Sequence, residues 1–424
     1  MNIIFAVIVI YLFILFVERA LAIDGDIKII LLTLFSVLFI FATNLIGLIF
    51  TGMEHPLQIL FVMLIAYFML YGKGDNKSEN WLVLFTVTAP LIRYENLAIS
   101  FVAILFMLLY RKYKKAILSA AIIVLTMGLF SVFLMTMGLK ALPSSVLAKS
   151  SVLSHDTLFM PFARNIGRTL LFPRGIIIAL SFVSYVLFML FRQLDKDRMR
   201  IMSVTSVGLV LHMLFGTYGW YNRYEIYIWT FFIMMSIHLI APSIVTLVKS
   251  RKNNSYKIML FAVMITTASC TQYVHDLYSL PVGSNNIYEQ QYQMHRYVVD
   301  YYKKPVAVND IGYVSYKNDN YVLDLLGLSS PEALELIAQK ADVDWMNRLA
   351  KSKGVELAIL YDSWVSHPPE WEKVGELILG HERITVGGDT VSFYLIEPQA
   401  KEYVKTTLDD FVKTLPESVS FVFY

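Results

Sequence analysis

Long apolar runs separated by short polar segments fill the first two thirds of the chain. A membrane-spanning helix needs about 20 apolar residues, or fewer when it is short or partly buried by protein. This length predicts about ten spans, of which the fourth and fifth are short. The predicted spans are residues 3–17, 29–50, 57–72, 81–92, 97–110, 116–138, 175–191, 201–216, 225–248 and 258–274.

After about residue 276 the runs give way to mixed sequence, which predicts a soluble α/β domain. The chain therefore divides into a transmembrane domain at 1–276 and a soluble domain at 277–424. Ser330 and Pro331 are typical of a helix start, and Gly354 is typical of a helix end. The predicted elements are strands in 304–316, 320–328 and 355–362, helices in 330–340 and 342–354, and a hairpin in 383–398 with a Gly-Gly-Asp turn.

The composition agrees with a polytopic α-helical membrane protein. Apolar residues make up 57% of the 424 residues, mean hydropathy is +0.57, and charged residues make up 16%. Soluble globular proteins carry roughly 25% charged residues. The single cysteine, Cys270, excludes an intrachain disulfide. Lys and Arg occur in short loops without a basic stripe, so no nucleic-acid partner is expected.

The basic loops predict which side of the membrane each segment occupies. Residues 111–115, 192–200 and 249–257 are rich in Lys and Arg, and all of them belong in the cytoplasm in one consistent topology. That topology places the N-terminus and the soluble domain outside. A cleaved signal peptide ending at "ALA" (20–22) is the alternative, although Glu18 and Arg19 directly before this site argue against cleavage.

Every unusual polar group then lies on the outer face. Snorkelling arginines and an interfacial aromatic belt are the ordinary explanation of such residues. Three glutamates near span ends on one side instead suggest a shared polar cavity. A guanidinium fixed by a carboxylate suits bidentate phosphate binding. The groups are Glu54 with His55; Arg93 with Glu95 and Asn96; Lys149, His155, Asp156, Arg164, Arg168 and Arg174 in the 139–174 loop; and Asn222, Arg223 and Glu225 among aromatic residues.

Four segments resemble bacterial GT-C-type glycosyltransferases, in the branch related to protein mannosyltransferases, aminoarabinose transferases and mycobacterial arabinofuranosyltransferases. The likeness runs from about residue 30 to about residue 335, and the order of the motifs is more specific than any one of them. The segments are "TGMEHPLQILFVMLIAY", "RYEN", "GWYNRYEIYIW" and "VAVNDIGYVSYKNDNYVLDLLGLSSPEAL".

The resemblance implies an enzyme of the bacterial inner membrane with a periplasmic C-terminal domain. Such an enzyme moves a sugar, with inversion, from a polyprenyl-phosphate donor to a glycan, lipid or protein acceptor. Arg93 and Arg223 are then the expected ligands of the donor phosphate. Residues expected to bind sugar or to orient the arginines are Glu54, His55, Glu95, Asn96, Asn222 and Glu225. No cofactor or metal ligand is assigned, although a divalent cation is compatible with the chemistry.

One departure from the family concerns the general base. Family members carry a catalytic Asp in the first external loop, and nothing here matches it. Asp24 and Asp26 follow the first span but fall on the cytoplasmic side, unless that span is inverted. The general base is therefore unassigned, and the expectation is that the chain lacks the family's N-terminal span and loop.

Other functions are compatible with the same sequence. The absent Asp is compatible with a non-catalytic scaffold or a remnant of such an enzyme. A transporter of lipid-linked glycans would place charges in broken helices at mid-membrane, whereas here they cluster at one face. A polysaccharide polymerase or ligase typically lacks a C-terminal α/β domain. No P-loop, HExxH or GxSxG motif with plausible partners is present.

Overall fold

The computed structural model describes residues 1–149, 159–250 and 255–424, and their contacts divide the chain into two compact units. The first unit comprises Met1–Leu129 and Leu158–Tyr278. The second comprises the described part of Phe130–Thr157 together with Ser279–Tyr424. The longer segment of the second unit begins at Ser279. The domain boundary between residues 276 and 277 stays a prediction.

Helices form nearly all of the first unit and part of the second. They are α1 (Asn2–Leu21), α2 (Asp26–Ala42), α3 (Leu45–Phe50), α4 (His55–Tyr71), α5 (Asn76–Ile92), α6 (Leu97–Leu109), α7 (Tyr113–Thr136), α8 (Ser144–Lys149), α9 (Met160–Leu171), α10 (Pro173–Phe191), α11 (Lys196–Phe215), α12 (Ile226–Ser250), α13 (Ser255–Asn286), α14 (Tyr292–Arg296), α15 (Pro331–Ala338), α16 (Trp345–Ser352) and α17 (Lys401–Val412). Single π-helical segments at Ile287–Gln291 and Tyr297–Tyr302 flank α14.

All ten predicted apolar runs are helical, and the run at 29–50 is divided into α2 and α3 at Asn44, whose φ is 48°. Five helices of the described residues, rather than about ten, are long and apolar enough to cross a membrane. The helices α4 and α5 have 17 residues each and α6 has 13. At 1.5 Å per residue these reach about 25 Å or less, which is shorter than a bilayer core of about 30 Å. The five are α1, α7, α10, α11 and residues Ile226–Val248 of α12.

The core of the first unit surrounds α4. Eleven of its residues are buried, on all sides of the helix, as expected for an apolar helix enclosed by others. In contrast, most apolar side chains of α7 are exposed, and only 11% of its most apolar window is buried. An exposed apolar helix of 24 residues is suited to contact with lipid.

The inter-helix loops of the first unit form two sets of contacts. In one, the Lys73 ammonium lies 2.6 Å from Asp197 Oδ2, and the Tyr110 hydroxyl donates to Asp197 Oδ1 at 2.5 Å. In the other, the Asn2 side-chain amide donates to the Met53 carbonyl at 2.9 Å, beside Glu54. The first set joins loops that the charge count predicts on the cytoplasmic side of a membrane. The second set joins segments that it predicts on the outer side.

Asp24 and Asp26 lie far from the polar groups near Glu54. The start of α1 contacts Met53, whereas both aspartates follow the other end of this 20-residue helix. A helix of that length is about 30 Å long. The alternative assignment of either aspartate as the general base therefore finds no support in this arrangement.

The second unit is built around a mixed six-stranded sheet. The strands are β1 (Val306–Val308), β2 (Val322–Asp324), β3 (Leu357–Leu360), β4 (Glu372–Ile378), β5 (Thr390–Leu395) and β6 (Ser420–Phe423), in the order β2-β1-β3-β5-β4-β6. The strands β1, β2 and β3 are parallel, and their residues are almost all buried, as predicted from their continuous apolar runs. The remaining pairs are antiparallel.

Two local predictions for this unit are wrong. The predicted hairpin over 383–398 is not formed, because β5 pairs with β4 and β3. A Cβ on Gly387 would lie 2.3 Å from the Trp364 ring, so the backbone there packs on an aromatic side chain instead of a strand. Ser330 does precede α15, but its hydroxyl accepts from the Asp324 N–H at 3.0 Å and does not cap the helix.

Candidate functional site

Arg93 is held by two carboxylates at the junction of α5 and α6. Its Nε and one terminal nitrogen donate to the two oxygens of Glu95 at 3.2 and 2.9 Å. The other terminal nitrogen donates to Glu54, which precedes α4. The Arg93 side chain is 9% exposed. Because every nitrogen of this guanidinium already faces a carboxylate, binding a phosphate here would require breaking these pairs.

A chain of buried side chains lies beside this ion pair. His55 and Asn96 are fully buried, and Gln58 connects them. The Gln58 amide donates to Asn96 Oδ1 at 3.1 Å and accepts from His55 Nδ1 at 3.2 Å. The Asn96 amide donates to the Ala89 carbonyl at 2.9 Å, which joins α4 to α5. His55 Nε2 has no partner within the described residues, so its lone pair is available as an acceptor.

The loop before α12 has a strained backbone. Gly219 has a φ of 85°, and Trp220, Tyr221 and Asn222 follow with φ of 49°, 65° and 47°. Each left-handed non-glycine residue costs roughly 1–2 kcal/mol. Strain of this kind persists where surrounding contacts fix it, and it is frequent at functional sites.

Contacts with α13 hold this loop in place. The Asn222 amide donates to Asp276 Oδ2 at 2.6 Å and accepts from the Gln272 amide at 2.8 Å. The Tyr221 hydroxyl donates to the Asp276 carbonyl. Two side chains of the strained loop are therefore tied to a single buried residue, Asp276, of the last long helix.

Arg174, the second residue of α10, is buried, and its side chain has no hydrogen bond to the described residues. Its side chain lies with the guanidinium carbon 3.6 Å from the centre of the Tyr273 ring and 5.9 Å from that of Trp229. The residue is 2% exposed, and none of its three guanidinium nitrogens has a partner within the described residues. The aromatic face offsets part of the charge, but the N–H donors meet no acceptor in the described part of the chain.

Glu225, directly before α12, is the acidic counterpart of Arg174. It is fully buried, and neither carboxylate oxygen has a donor in hydrogen-bonding geometry within the described residues. Burial raises the pKa of the Glu225 carboxyl to about 7, while the charge of Arg174 and nearby backbone N–H groups oppose this rise. The charge of Asp276 adds to it.

These side chains define what we call the Arg174 cluster: Arg174, Glu225, Trp229, Tyr273 and Asp276. Besides the two charged groups, Trp229 Nε1 and the Tyr273 hydroxyl are buried without a partner within the described residues. Buried polar groups are nearly always hydrogen-bonded, and an unpaired set of them needs an explanation such as a bound ligand. A guanidinium and a neighbouring carboxyl near its titration point would accept an anion and a hydroxyl respectively.

The sequence-predicted site residues fall into two parts of the first unit. Glu54, His55, Arg93, Glu95 and Asn96 contact one another directly or through Gln58. Asn222 and Glu225 belong with Asp276 and Arg174 instead.

Arg223 is the remaining predicted phosphate ligand. Its guanidinium carbon lies 5.3 Å from the centre of the Tyr224 ring, and its Nε is buried without a partner within the described residues. Arg223 is close enough for its charge to act on His55, which lies beside the Arg93 ion pair. His155 and Asp156 of the predicted long loop lie outside the described residues.

Sequence reasoning missed two residues of this site. Asp276 carries no signal in the sequence, because it lies just after the last apolar run and belongs to no local motif. Arg174 stands in the sequence as one of several basic residues of the 139–174 loop. Pro173 at the start of an apolar run could have revealed that Arg174 begins a helix and is therefore placed at a fixed depth.

A metal site is not apparent in the part of the chain that the structure describes. No group of three or more His, Cys, Asp or Glu side chains there could hold a metal ion. A divalent cation as cofactor therefore stays a prediction from the resemblance.

Comparison with known proteins adds one finding. Residues 285–394, within the second unit, match the model of a family described as a domain of unknown function (DUF8728). No curated protein and no solved structure matches the chain significantly.

Proposed function

We propose that the chain is an integral-membrane glycosyltransferase that takes a sugar from a polyprenyl-phosphate donor at the extracytoplasmic face. The single observation that carries this proposal is the buried guanidinium of Arg174, whose nitrogens have no hydrogen-bond partner within the described residues. Burying an unpaired charge is costly, and an anionic ligand offsets this cost. The position of Arg174 at the start of a membrane-length helix favours an anion carried by a lipid.

The chemistry follows from the position of the charges. The donor's phosphate is the leaving group, so negative charge develops on it as the bond between the anomeric carbon and the phosphate oxygen breaks. Arg174 stabilises this charge, with Arg223 as a second ligand. Glu225 takes the proton of the acceptor hydroxyl as its oxygen forms the new glycosidic bond. The products are the glycosylated acceptor and polyprenyl phosphate.

The Glu225 carboxyl fits the role of general base better than the other predicted carboxylates. An effective base has a pKa near the working pH, and burial raises the pKa of Glu225 to about 7. Glu54 and Glu95 are instead engaged with Arg93. In this proposal the ion pairs of Arg93 with Glu54 and Glu95 hold the ends of α4, α5 and α6 together. His55 and Asn96 add hydrogen bonds through Gln58 to the same contact.

The proposal also includes the finer features expected from the sequence. These are about ten spans in a bacterial inner membrane, with the shorter helices α4, α5 and α6 crossing among longer ones. The second unit then lies outside the cytoplasm, and the acceptor is a glycan, lipid or protein of the envelope.

The test is consumption of a defined donor by the purified full-length protein in detergent. Undecaprenyl-phosphate mannose, glucose, N-acetylglucosamine and arabinofuranose are supplied separately with a membrane extract as the acceptor source. We expect one donor to be converted to undecaprenyl phosphate at a rate proportional to protein concentration. If all four stay intact while a known glycosyltransferase is active in the same extract, the proposal is contradicted.

A further inference from the structure

The second unit carries an exposed group of aromatic rings beside the carboxyl end of β1. The exposed large apolar side chains between residues 279 and 321 are all tyrosines: Tyr288, Tyr313, Tyr316 and Tyr321. Three of these tyrosines contact further rings in a continuous series. We call this series the tyrosine patch; its members are Tyr288, Tyr292, His295, Tyr313 and Tyr316.

Two parts of the chain supply the tyrosine patch. One is the π-helical segment Ile287–Gln291 with α14, and the other is the loop after β1. Tyr288 and Tyr292 stack with centroids 5.7 Å apart and planes at 18°. The ring of Tyr313, in the loop, meets Tyr292 edge-on at 5.8 Å with an angle of 87°. Tyr316 continues the series at 6.1 Å from Tyr313. The rings thus form a corner with two faces at about a right angle.

The π-helical segment Ile287–Gln291 explains how these rings become exposed. Its residues Glu289, Gln290 and Gln291 are buried, and their side chains form hydrogen bonds with other residues of the second unit. The Tyr361 hydroxyl donates to Gln290 at 2.6 Å, and the Gln291 amide donates to Asp310. With that side anchored, Tyr288 remains 49% exposed. Segments with a π-helical turn occur frequently at functional sites.

We infer that the tyrosine patch binds a glycan composed of pyranose rings. The axial C–H groups of a pyranose form a flat apolar face with partial positive charge, which packs on the negative face of an aromatic ring. The remaining hydroxyl groups of the sugar need hydrogen-bonding partners at the edges of the platform.

The edges of the patch supply such partners. The tyrosine hydroxyl groups donate and accept, and Lys317 lies with its ammonium 5.4 Å from the centre of the Tyr316 ring. Asp310 begins the same loop and is only half-buried. The large exposed side chains here are rings with polar tips, so each offers a flat apolar face and a hydrogen-bonding edge.

This surface belongs to the region that matches the family model, and its glycan need not be the substrate of the transferase. The inference therefore does not depend on the proposed function. A protein that consumes no donor could still bind a glycan here, and a transferase could lack this surface.

The test is electrophoresis of the full-length protein in detergent through native gels that contain soluble mannan, β-glucan or arabinogalactan. We expect at least one polysaccharide to retard the wild type. Tyr313→Ala and Tyr316→Ala are expected to weaken this binding by roughly tenfold each, as the loss of one ring contact implies. Tyr313→Phe is expected to keep most of it, because the ring remains.

Tyr321→Ala is the matched control, since Tyr321 is 41% exposed but lies outside the patch. It is expected to bind like the wild type. Tyr316 is 57% exposed, so its replacement leaves the fold intact and melting temperatures will verify this. Unretarded wild type in all three gels, or alanine variants that bind as tightly as the wild type, would overturn the inference.

Discussion

Arg174→Gln is expected to reduce donor consumption by about 100- to 1000-fold, the loss that follows removal of one group that stabilises charge in the transition state. The substitution removes the positive charge but keeps a polar side chain of similar length. No hydrogen bond of Arg174 is lost within the described residues. The variant is therefore expected to fold and to accumulate in the membrane like the wild type.

Arg192→Gln provides the matched control for this variant. Arg192 directly follows α10, the helix whose second residue is Arg174, and it is exposed. The two arginines are 18 residues apart along this helix, or about 27 Å. Arg192→Gln is expected to retain full activity. If both variants are equally active, Arg174 does not contact the donor phosphate.

Glu225→Gln is expected to stabilise the protein and to abolish its activity. Folding raises the pKa of this carboxyl from 4.5 to about 7, so the folded state favours the protonated form. The contribution of Glu225 to stability is therefore fully present below about pH 4.5 and is lost as the pH rises through about 7. Because Gln resembles the protonated form, the variant avoids this loss.

The difference between the two proteins is measured by thermal unfolding without ligand between pH 5 and pH 8. At pH 5 they are expected to melt at similar temperatures. At pH 8 the variant is expected to be more stable by about 3 kcal/mol, from 1.36 kcal/mol per unit of pKa. Wild-type donor consumption should rise with pH through about 7. Glu335→Gln, an exposed control on α15, should change neither profile; a Glu225→Gln variant that is active contradicts the role of base.

Much of the fold follows from local pattern. The ten apolar runs are all helical, and the continuous apolar runs in the second unit form the parallel strands β1, β2 and β3. The number of spans did not follow from the runs, because helices such as α6 are too short to cross a bilayer alone. Whether such a short apolar helix lies inside a bilayer depends on how far neighbouring helices bury it. A hydropathy profile of the sequence carries no information on these neighbours.

The candidate site was predictable only in part. Charge counting along the loops predicts Glu54, Arg93 and Glu95 on one face of the membrane, and the structure joins them in one ion-paired group. Their spacing could not reveal that both carboxylates engage the same guanidinium. The roles expected of Arg93 and Arg223 stay predictions.

The proximity of Arg174 to Glu225 and Asp276 required the tertiary structure. The three residues come from the starts of α10 and α12 and from within α13, so no sequence period connects them. The strained loop at Gly219–Asn222 was also invisible in the sequence, because Trp220 and Tyr221 are not residues that favour a left-handed backbone.

The most direct test of the central claim is whether the Arg174 cluster binds the phosphate of a polyprenyl carrier. Thermal unfolding of the full-length protein is measured with undecaprenyl phosphate and with undecaprenol, which has the same chain without the phosphate. Undecaprenyl phosphate at about 100 times its Kd is expected to raise the melting temperature of the wild type by roughly 3–5 °C. Undecaprenol should have little effect, and Arg174→Gln should respond to neither. Equal shifts with both lipids, or an undiminished response of Arg174→Gln to undecaprenyl phosphate, would contradict the claim.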